Sequence, residues 1–428
     1  MWSGRSRSGP LVATIALVVA MSVGMQGQVE AQGATPVIVV LLDGVDPAAT
    51  ANDHSARYGA DVAHVYTAAL RGYAARVPAA RLGALASDSR VAFISEDRPV
   101  SALDGHAGEL PFGVDRIDGE LSTKAGANNS APAIAVIDTG SGPHSDLNIA
   151  GGKNCSTGRK FDDGNGHGTH VAGTIAAKKN GTGVVGVLPG APIYSVRVLN
   201  NAGSGTFSSV ICGVDWVTAN AASFGIKVAN MSLGGGGSDS PSDANCNNAN
   251  NDALHKAICN SVKAGVTYVV AAGNSAVDFA GFVPAAYDEV LTVTAMADFD
   301  GKPGGLAAAT CRADVDDTAA DFSNFATLAD DKAHTIAAPG VCIKSTWKGG
   351  GYNTISGTSM ASPHAAGTAA LCIVSTSTSG TCAGLMPAQI IQKLRSDAAA
   401  RPPAYGFAED ANSTSTNYYG HLIYAGGY

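Results

Sequence analysis

The stretch AIAVIDTG, Ala133–Gly140, decides the fold class. Ala133 to Ile137 run without a polar interruption and end on Asp138 and a Thr-Gly turn. A short, unbroken apolar run of this kind reads as a strand buried on both faces. Downstream, His167–Ala177 reads as a helix, Ile193–Val198 as a strand and Ser208–Asn220 as a helix. The alternation continues with a strand at Val228–Met231, a helix at Asp252–Ala264 and strands at Thr267–Ala271 and Val290–Ala295. Two more helices follow, Ser359–Val374 and Pro387–Asp397. Strands that alternate with helices predict an α/β class, a mainly parallel sheet with helices on both faces. In such sheets the active groups gather at the carboxyl ends of the strands. Gly234–Gly237, followed by Ser-Asp-Ser-Pro, reads as a loop without the Lys of a phosphate cradle.

Upstream, residues 35–100 read as β-α-β-β-α-β, the order of a small ferredoxin-like α+β unit. A composition shift separates this unit from the rest. Residues 1–104 hold 8 Arg, no Lys and 9 acidic residues, so the remainder carries −7 of the net charge of −8. The N-terminus has a basic region at Arg5 and Arg7, an apolar run Leu11–Ala20 and a small-residue site at Val29-Glu30-Ala31. That pattern reads as a secretory signal, because the run is shorter than the roughly 20 residues of a membrane span. The expected organisation is a signal at 1–31, a small unit at 32–104 and a large unit at 105–428. A secreted, extracellular location follows, with no membrane attachment once the signal is removed.

The chain has 428 residues, 45% of them apolar, which supplies a sizeable core. Its net charge of −8 argues against a nucleic-acid partner, which needs a basic footprint. All eight cysteines lie after residue 150. An even number behind an export signal implies disulfides rather than zinc, since neither C-x-x-C nor a Cys/His cluster of zinc spacing occurs. Sequence neighbourhood suggests the pairs 246–259, 311–342, 372–382 and 155–212; spacing alone leaves other connectivities open.

Three segments suit nucleophilic acyl transfer. Asp138 ends the strand AIAVI, where a carboxylate can hold a histidine tautomer, though a strand-end Asp is also a common turn former. In DGNGHGTHVAGTIAA, His167 sits between glycines at a helix start, a position from which imidazole can shuttle protons. His170 follows one turn later; without H-E-x-x-H, packing explains it better than a metal. In ISGTSMASPHAAGTAAL, Ser359 opens a helix whose free N–H groups face a developing anion. Alone, it would pass for an ordinary N-cap. Taken together, the chain order Asp138, His167, Ser359 is the subtilisin order.

On these motifs the chain resembles the subtilisin-type serine proteases, or subtilases, of the proteinase K-like branch. The resemblance implies a secreted serine endopeptidase of broad specificity with an apolar P1 preference. It implies Asp138, His167 and Ser359 as the triad, and Asn274 of VVAAGN with the Ser359 N–H as the oxyanion hole. It implies that NMSLGGG (Ser232, Leu233, Gly234) and AGSGT (Gly203, Ser204, Gly205) flank the extended polypeptide substrate by main-chain pairing. Leu233 could also belong to the core. The segments VIVVLLDG, HVYTAALRGYAARV and RVAFISEDRPV resemble the inhibitory prosegment of these enzymes, which implies a zymogen that cuts itself near Leu103–His106. No cofactor is implied for the chemistry, and the chain is expected to act as a monomer.

A structural calcium is implied at Asp288 and the carbonyl of Val290. However, relatives often carry an acidic residue where HTIAAPG places Thr335, and a hard cation needs several oxygens. Asp314, Asp316 and Asp317 of DVDD read as a solvated acidic loop, with a calcium site as the alternative. Two other functions are alternatives: a binding scaffold on an inactive protease fold, which would need a broken triad where this one is intact, and a ligase that passes the same acyl group to an amine.

Overall fold

The computed structural model describes residues 34–102, 111–124, 132–239, 252–376, 381–410 and 416–428, with side chains excluded for 99–102. The signal expected at 1–31, the cut expected near Leu103–His106 and Cys246 lie outside the described residues.

The small unit comprises β1 (Ala34–Leu41), α1 (Pro47–Tyr58), β2 (Asp61–Tyr66), β3 (Gly72–Pro78), α2 (Ala79–Ala86) and β4 (Val91–Glu96). Its antiparallel sheet has the order β2-β3-β1-β4, the ferredoxin-like arrangement expected from the sequence. Helix α1 starts at Pro47. Asp46 caps it by accepting from Ala49 N at 2.9 Å, and Pro47 fits the first turn, where no N–H is required. Along β1 the side chains alternate between two cores. Val37, Val39 and Leu41 pack with Ala51, Tyr73, Val77 and Leu85 of the small unit. Ile38 and Val40 face the large unit's core, together with Tyr66 and Leu70.

The large unit follows β5 (Pro99–Ala102) and the short α3 (Gly113–Arg116). It contains β6 (Ala133–Asp138), β7 (Asn148–Asn154), α4 (His167–Ala176), β8 (Pro192–Arg197), β9 (Ser204–Thr206) and α5 (Phe207–Phe224). Next come β10 (Ile226–Met231), β11 (Leu233–Gly236), α6 (Ala253–Lys263), β12 (Thr267–Ala271), β13 (Phe282–Val283) and β14 (Leu291–Met296). The chain continues through α7 (Ala329–Ala333), β15 (Thr335–Pro339), the hairpin β16 (Ile343–Trp347) and β17 (Gly351–Ile355), α8 (Thr358–Val374) and α9 (Pro387–Ala399).

Seven parallel strands form the central sheet in the order β15-β14-β12-β10-β6-β8-β7. The sequence AIAVI fills both of its faces. Ile134 and Val136 join the core built with α4, α8 and α9, whereas Ala133, Ala135 and Ile137 join the core built with α5 and α6. This is the expected α/β class. Disulfides join Cys155 to Cys212, Cys311 to Cys342 and Cys372 to Cys382, as sequence neighbourhood suggested.

Two sequence expectations need correction. The glycine run after Leu233 is not a loop, because Leu233–Gly236 pairs with β13 on one side and β5 on the other. The DVDD acids are buried rather than solvated. Asp316 accepts from Phe299 N and Ala307 N at 2.9 and 3.0 Å, Asp317 from Arg116 Nε at 2.9 Å, and Asp314 from Arg312 Nε at 2.7 Å.

Candidate active site

Asp138 and His167 meet where the carboxyl end of β6 touches the start of α4. His167 Nδ1 lies 2.8 Å from Asp138 Oδ1, and both residues are fully buried. Glycine makes the approach possible: a Cβ on Gly168 would run into the Gly140 carbonyl and crowd the Asp138 side chain. Gly166, at the helix start, holds φ at +118°, where a side chain would also strike Trp347. Burial pushes the Asp138 carboxyl above its usual range, while His167 and the Thr139 N–H at 2.6 Å act in the opposite direction.

Asp163 holds both partners of this pair in place. Its Oδ1 accepts from Thr139 Oγ1 at 2.9 Å, Asn165 N at 2.9 Å and Gly166 N at 2.8 Å. Its Oδ2 accepts from Thr169 N at 2.9 Å and Thr169 Oγ1 at 2.7 Å. One carboxylate thus joins the end of β6 to the first turn of α4, and it caps donors that Gly166 has no side chain to satisfy. The sequence reading missed this residue. Its only local signal is an acid four residues before His167.

Ser359 stands in the first turn of α8, as expected. Helix α8 contains Pro363, which has no N–H to give the Ser359 carbonyl four residues earlier. Ser232 Oγ takes that place, donating to Ser359 O at 2.8 Å, and Asn230 Nδ2 supports it at 3.0 Å. In return, Ser359 Oγ lies 3.3 Å from the Ser232 carbonyl. Helix α4, which begins at His167, packs directly on α8, whose first turn carries Ser359.

Asn274 follows β12. Its Oδ1 accepts from Thr358 N at 2.9 Å and Thr358 Oγ1 at 2.8 Å, which fixes the orientation of the amide. Its Nδ2 is buried without a hydrogen-bond acceptor. A buried donor held in place and left unsatisfied is costly unless something in the site uses it.

The predicted substrate edges are brought together. β9 and β11 lie on either side of β5 in one small sheet, ordered β13-β11-β5-β9. Pro99, Val100 and Ser101 pair with Thr206, Gly205 and Ser204, while Ser101 and Ala102 pair with Gly234 and Leu233. Gly203 sits in the turn before β9 at φ +76°, its N–H donating to Asn200 O. Leu233 does both things weighed for it: its side chain is buried in the core and its backbone pairs. His170 is a packing residue; its Nε2 lies 2.8 Å from Ile343 O, and burial pushes it down to about 3.

The subtilase family model matches residues 129–421. The chain belongs to the subtilase family. It is 38% identical over 289 residues to an alkaline protease of Alkalihalobacillus alcalophilus, covering 67% of this chain and 65% of that relative. It therefore spans just under two thirds of that relative's length. Subtilisin Savinase of Lederbergia lenta is 39% identical over 266 residues, covering 62% of this chain and 84% of the relative. The crystal structure of a cold-adapted subtilisin-like serine proteinase matches with a TM-score of 0.54 and 33% identity, covering 73% of this chain and 97% of that one.

For a subtilase, the calcium position expected at Asp288 and Val290 is altered in this chain. Thr335 spends its hydroxyl on the Asp331 carbonyl at 2.6 Å. The His334 imidazole stands beside Asp288, with Nε2 3.9 Å from Asp288 Oδ1. A nitrogen donor that faces Asp288 and Asp331 at 3.9 and 3.8 Å does not suit a hard cation that seeks six to eight oxygens. Among the described residues, two groupings of acidic, His or Cys side chains could hold an ion, and one includes the disulfide-bonded Cys259. The other gathers Asp298, Asp300 and Asp316 beside the buried Arg116 guanidinium, 3.4 Å from Asp298 Oδ2. Among the described residues, no helix is long and apolar enough to cross a membrane.

Proposed function

We propose that this subtilase is a secreted serine endopeptidase made as a self-inhibited precursor. Ser359 Oγ attacks the peptide carbonyl carbon while His167 takes its proton. The tetrahedral intermediate collapses as His167 passes that proton to the leaving amine, and water then hydrolyses the acyl-enzyme by the same steps. Asp138 holds the imidazole and stabilises its charged form. The Asn274 amide and the Ser359 N–H receive the oxyanion, and losing one such donor typically costs about 10²–10³ in turnover. The reaction draws on protein groups alone. Its substrates are polypeptides, accepted broadly with an apolar P1 side chain, and the enzyme acts as a monomer outside the cell.

The observation that carries this reading is the strand β5. It lies paired on both edges, in the manner of an extended substrate, and its carboxyl end at Ala102 is opposite Leu233. The next residue on that edge is Ser232, whose carbonyl faces Ser359 Oγ. This pairing supports a reading in which the chain lies in its own groove, with Ser359 as the nucleophile. Asp97 and Asp215 support this docking. Asp97 Oδ1 accepts from Ser208 N at 2.7 Å at the start of α5. Asp215 Oδ1, on α5, accepts from Ala68 N and Ala69 N of the small unit, both at 2.7 Å.

The test is Ser359→Ala, expressed without other proteases. Casein hydrolysis and removal of the small unit should both disappear. Normal processing in this variant would remove Ser359 as the nucleophile.

A further inference from the structure

We infer that Asn324 is a positioning residue for the oxyanion donor Asn274 and acts by clamping the loop that carries it. The inference rests on the role proposed above for Asn274. Asn324 lies in the segment DFSNF, Asp321–Phe325, and is only 1% exposed. It reaches the main chain on both sides of Asn274. On the near side, its Nδ2 donates to Ala272 O at 3.0 Å and its own N–H to Gly273 O at 2.9 Å. On the far side, its Oδ1 accepts from Ser275 N at 2.9 Å and Val277 N at 3.2 Å.

The loop needs such a clamp. Gly273 holds φ at +108° and Ala276 at +52°, so left-handed residues stand on either side of Asn274. Ala276 carries a Cβ and is disfavoured there; such a conformation persists only where the surroundings over-determine it. The DFSNF segment supplies those surroundings. Ala276 N donates to Phe322 O at 2.9 Å and Phe325 N to Val277 O at 3.1 Å, with Asn324 between them. Gly273 admits the clamp because a Cβ there would run into Asn324 Nδ2. Thr358 holds Asn274 only through its side-chain oxygen. The Asn274 Nδ2, buried and without an acceptor, keeps its aim only if the main chain beneath it is held as well. A misplacement of about 1 Å at a reacting group can cost about 10²-fold in rate, so control of this backbone is a kinetic quantity.

The test is steady-state hydrolysis of a peptide anilide with leucine at P1 by the matured enzyme. Active sites are counted by exhaustive fluorophosphonate labelling, so that rates refer to folded enzyme alone. Asn274→Ala should lower kcat by about 10²–10³ with little change in KM. Asn324→Ala should lower kcat by about 10-fold, again with little change in KM, because it weakens a contact made only in the transition state. Introduced into Asn274→Ala, the same change should lower kcat no further, since the two residues act as one. If Asn324→Ala does not fold, Asn324→Asp takes its place. It keeps the shape and the acceptor for Ser275 and Val277, but turns an oxygen toward Ala272 O, and the same pattern is expected. An unchanged kcat in the Asn324 variant, or an equal fall with and without the Asn274 amide, would overturn the positioning role and leave Asn274 as the donor. An unchanged kcat in Asn274→Ala would overturn the role of Asn274 and this inference with it.

Discussion

In the large unit, β6 sends Ile134 and Val136 to one core and Ala133, Ala135 and Ile137 to the other, and helices of the same unit cover most of both cores. In the small unit, β1 is just as apolar on its two faces, but α1 and α2 cover only one of them. Its second face, with Ile38, Val40, Tyr66 and Leu70, joins the core of the large unit that contains residues of α5 and α6. Burying Ile38, Val40 and Leu70 alone is worth roughly 5–9 kcal/mol, comparable with the whole stability of a small domain. The large unit can therefore hold its site in place by itself, whereas the small unit depends on its contact surface.

The sharpest way to break this comparison is to separate the units. Residues 34–102 produced alone should show no cooperative thermal transition by circular dichroism, and should gain one when mixed with the large unit. A stable isolated small unit would mean that its second face needs no cover.

A smaller effect is expected from the polar contacts. Asp215 receives N–H groups from Thr67, Ala68 and Ala69, with Asn260 Nδ2 bonded to the Ala69 carbonyl nearby. Asp215→Ala should weaken binding of the small unit by about 2 kcal/mol, roughly 30-fold, as measured by inhibition of the matured enzyme. An unchanged inhibition constant would assign the docking to apolar contact alone.

The smallest effect concerns pH. Burial holds His54 and His64 of the small unit below the usual histidine value. His54 is fully buried, with Nδ1 2.6 Å from Tyr73 Oη. Unfolded, each histidine returns to about 6.5 and binds a proton that the folded unit resists. Stability from this source is present above that value and falls as pH drops below it. The small unit should dissociate faster at pH 5 than at pH 7.5, and His54→Gln should flatten that difference.

Much of this organisation was legible in the sequence because the signals were local. The unbroken apolar run AIAVI, the helix after His167 and the run of elements in the small unit are set by neighbouring residues. The parts that were not legible depend on distant partners. Leu233–Gly236 is a strand only because β5 and β13 flank it. Asp163, Asp97 and Asp215 work by accepting hydrogen bonds from backbone or hydroxyl groups supplied by other segments, so no spacing announces them. Thr358 fixes Asn274 from 84 residues away. The HTIAAPG segment showed that an expected acid was missing, but not that His334 would turn toward Asp288.

The proposed mechanism requires Ser359 to carry an activated hydroxyl beside the Asp138–His167 pair, and chemical labelling tests this most directly. The matured chain is treated with a fluorophosphonate and digested, and the modified residue is mapped by mass spectrometry. A single adduct on Ser359, lost in His167→Ala, is the predicted result. An adduct on another residue, or equal labelling of Ser359 without the imidazole, would contradict it.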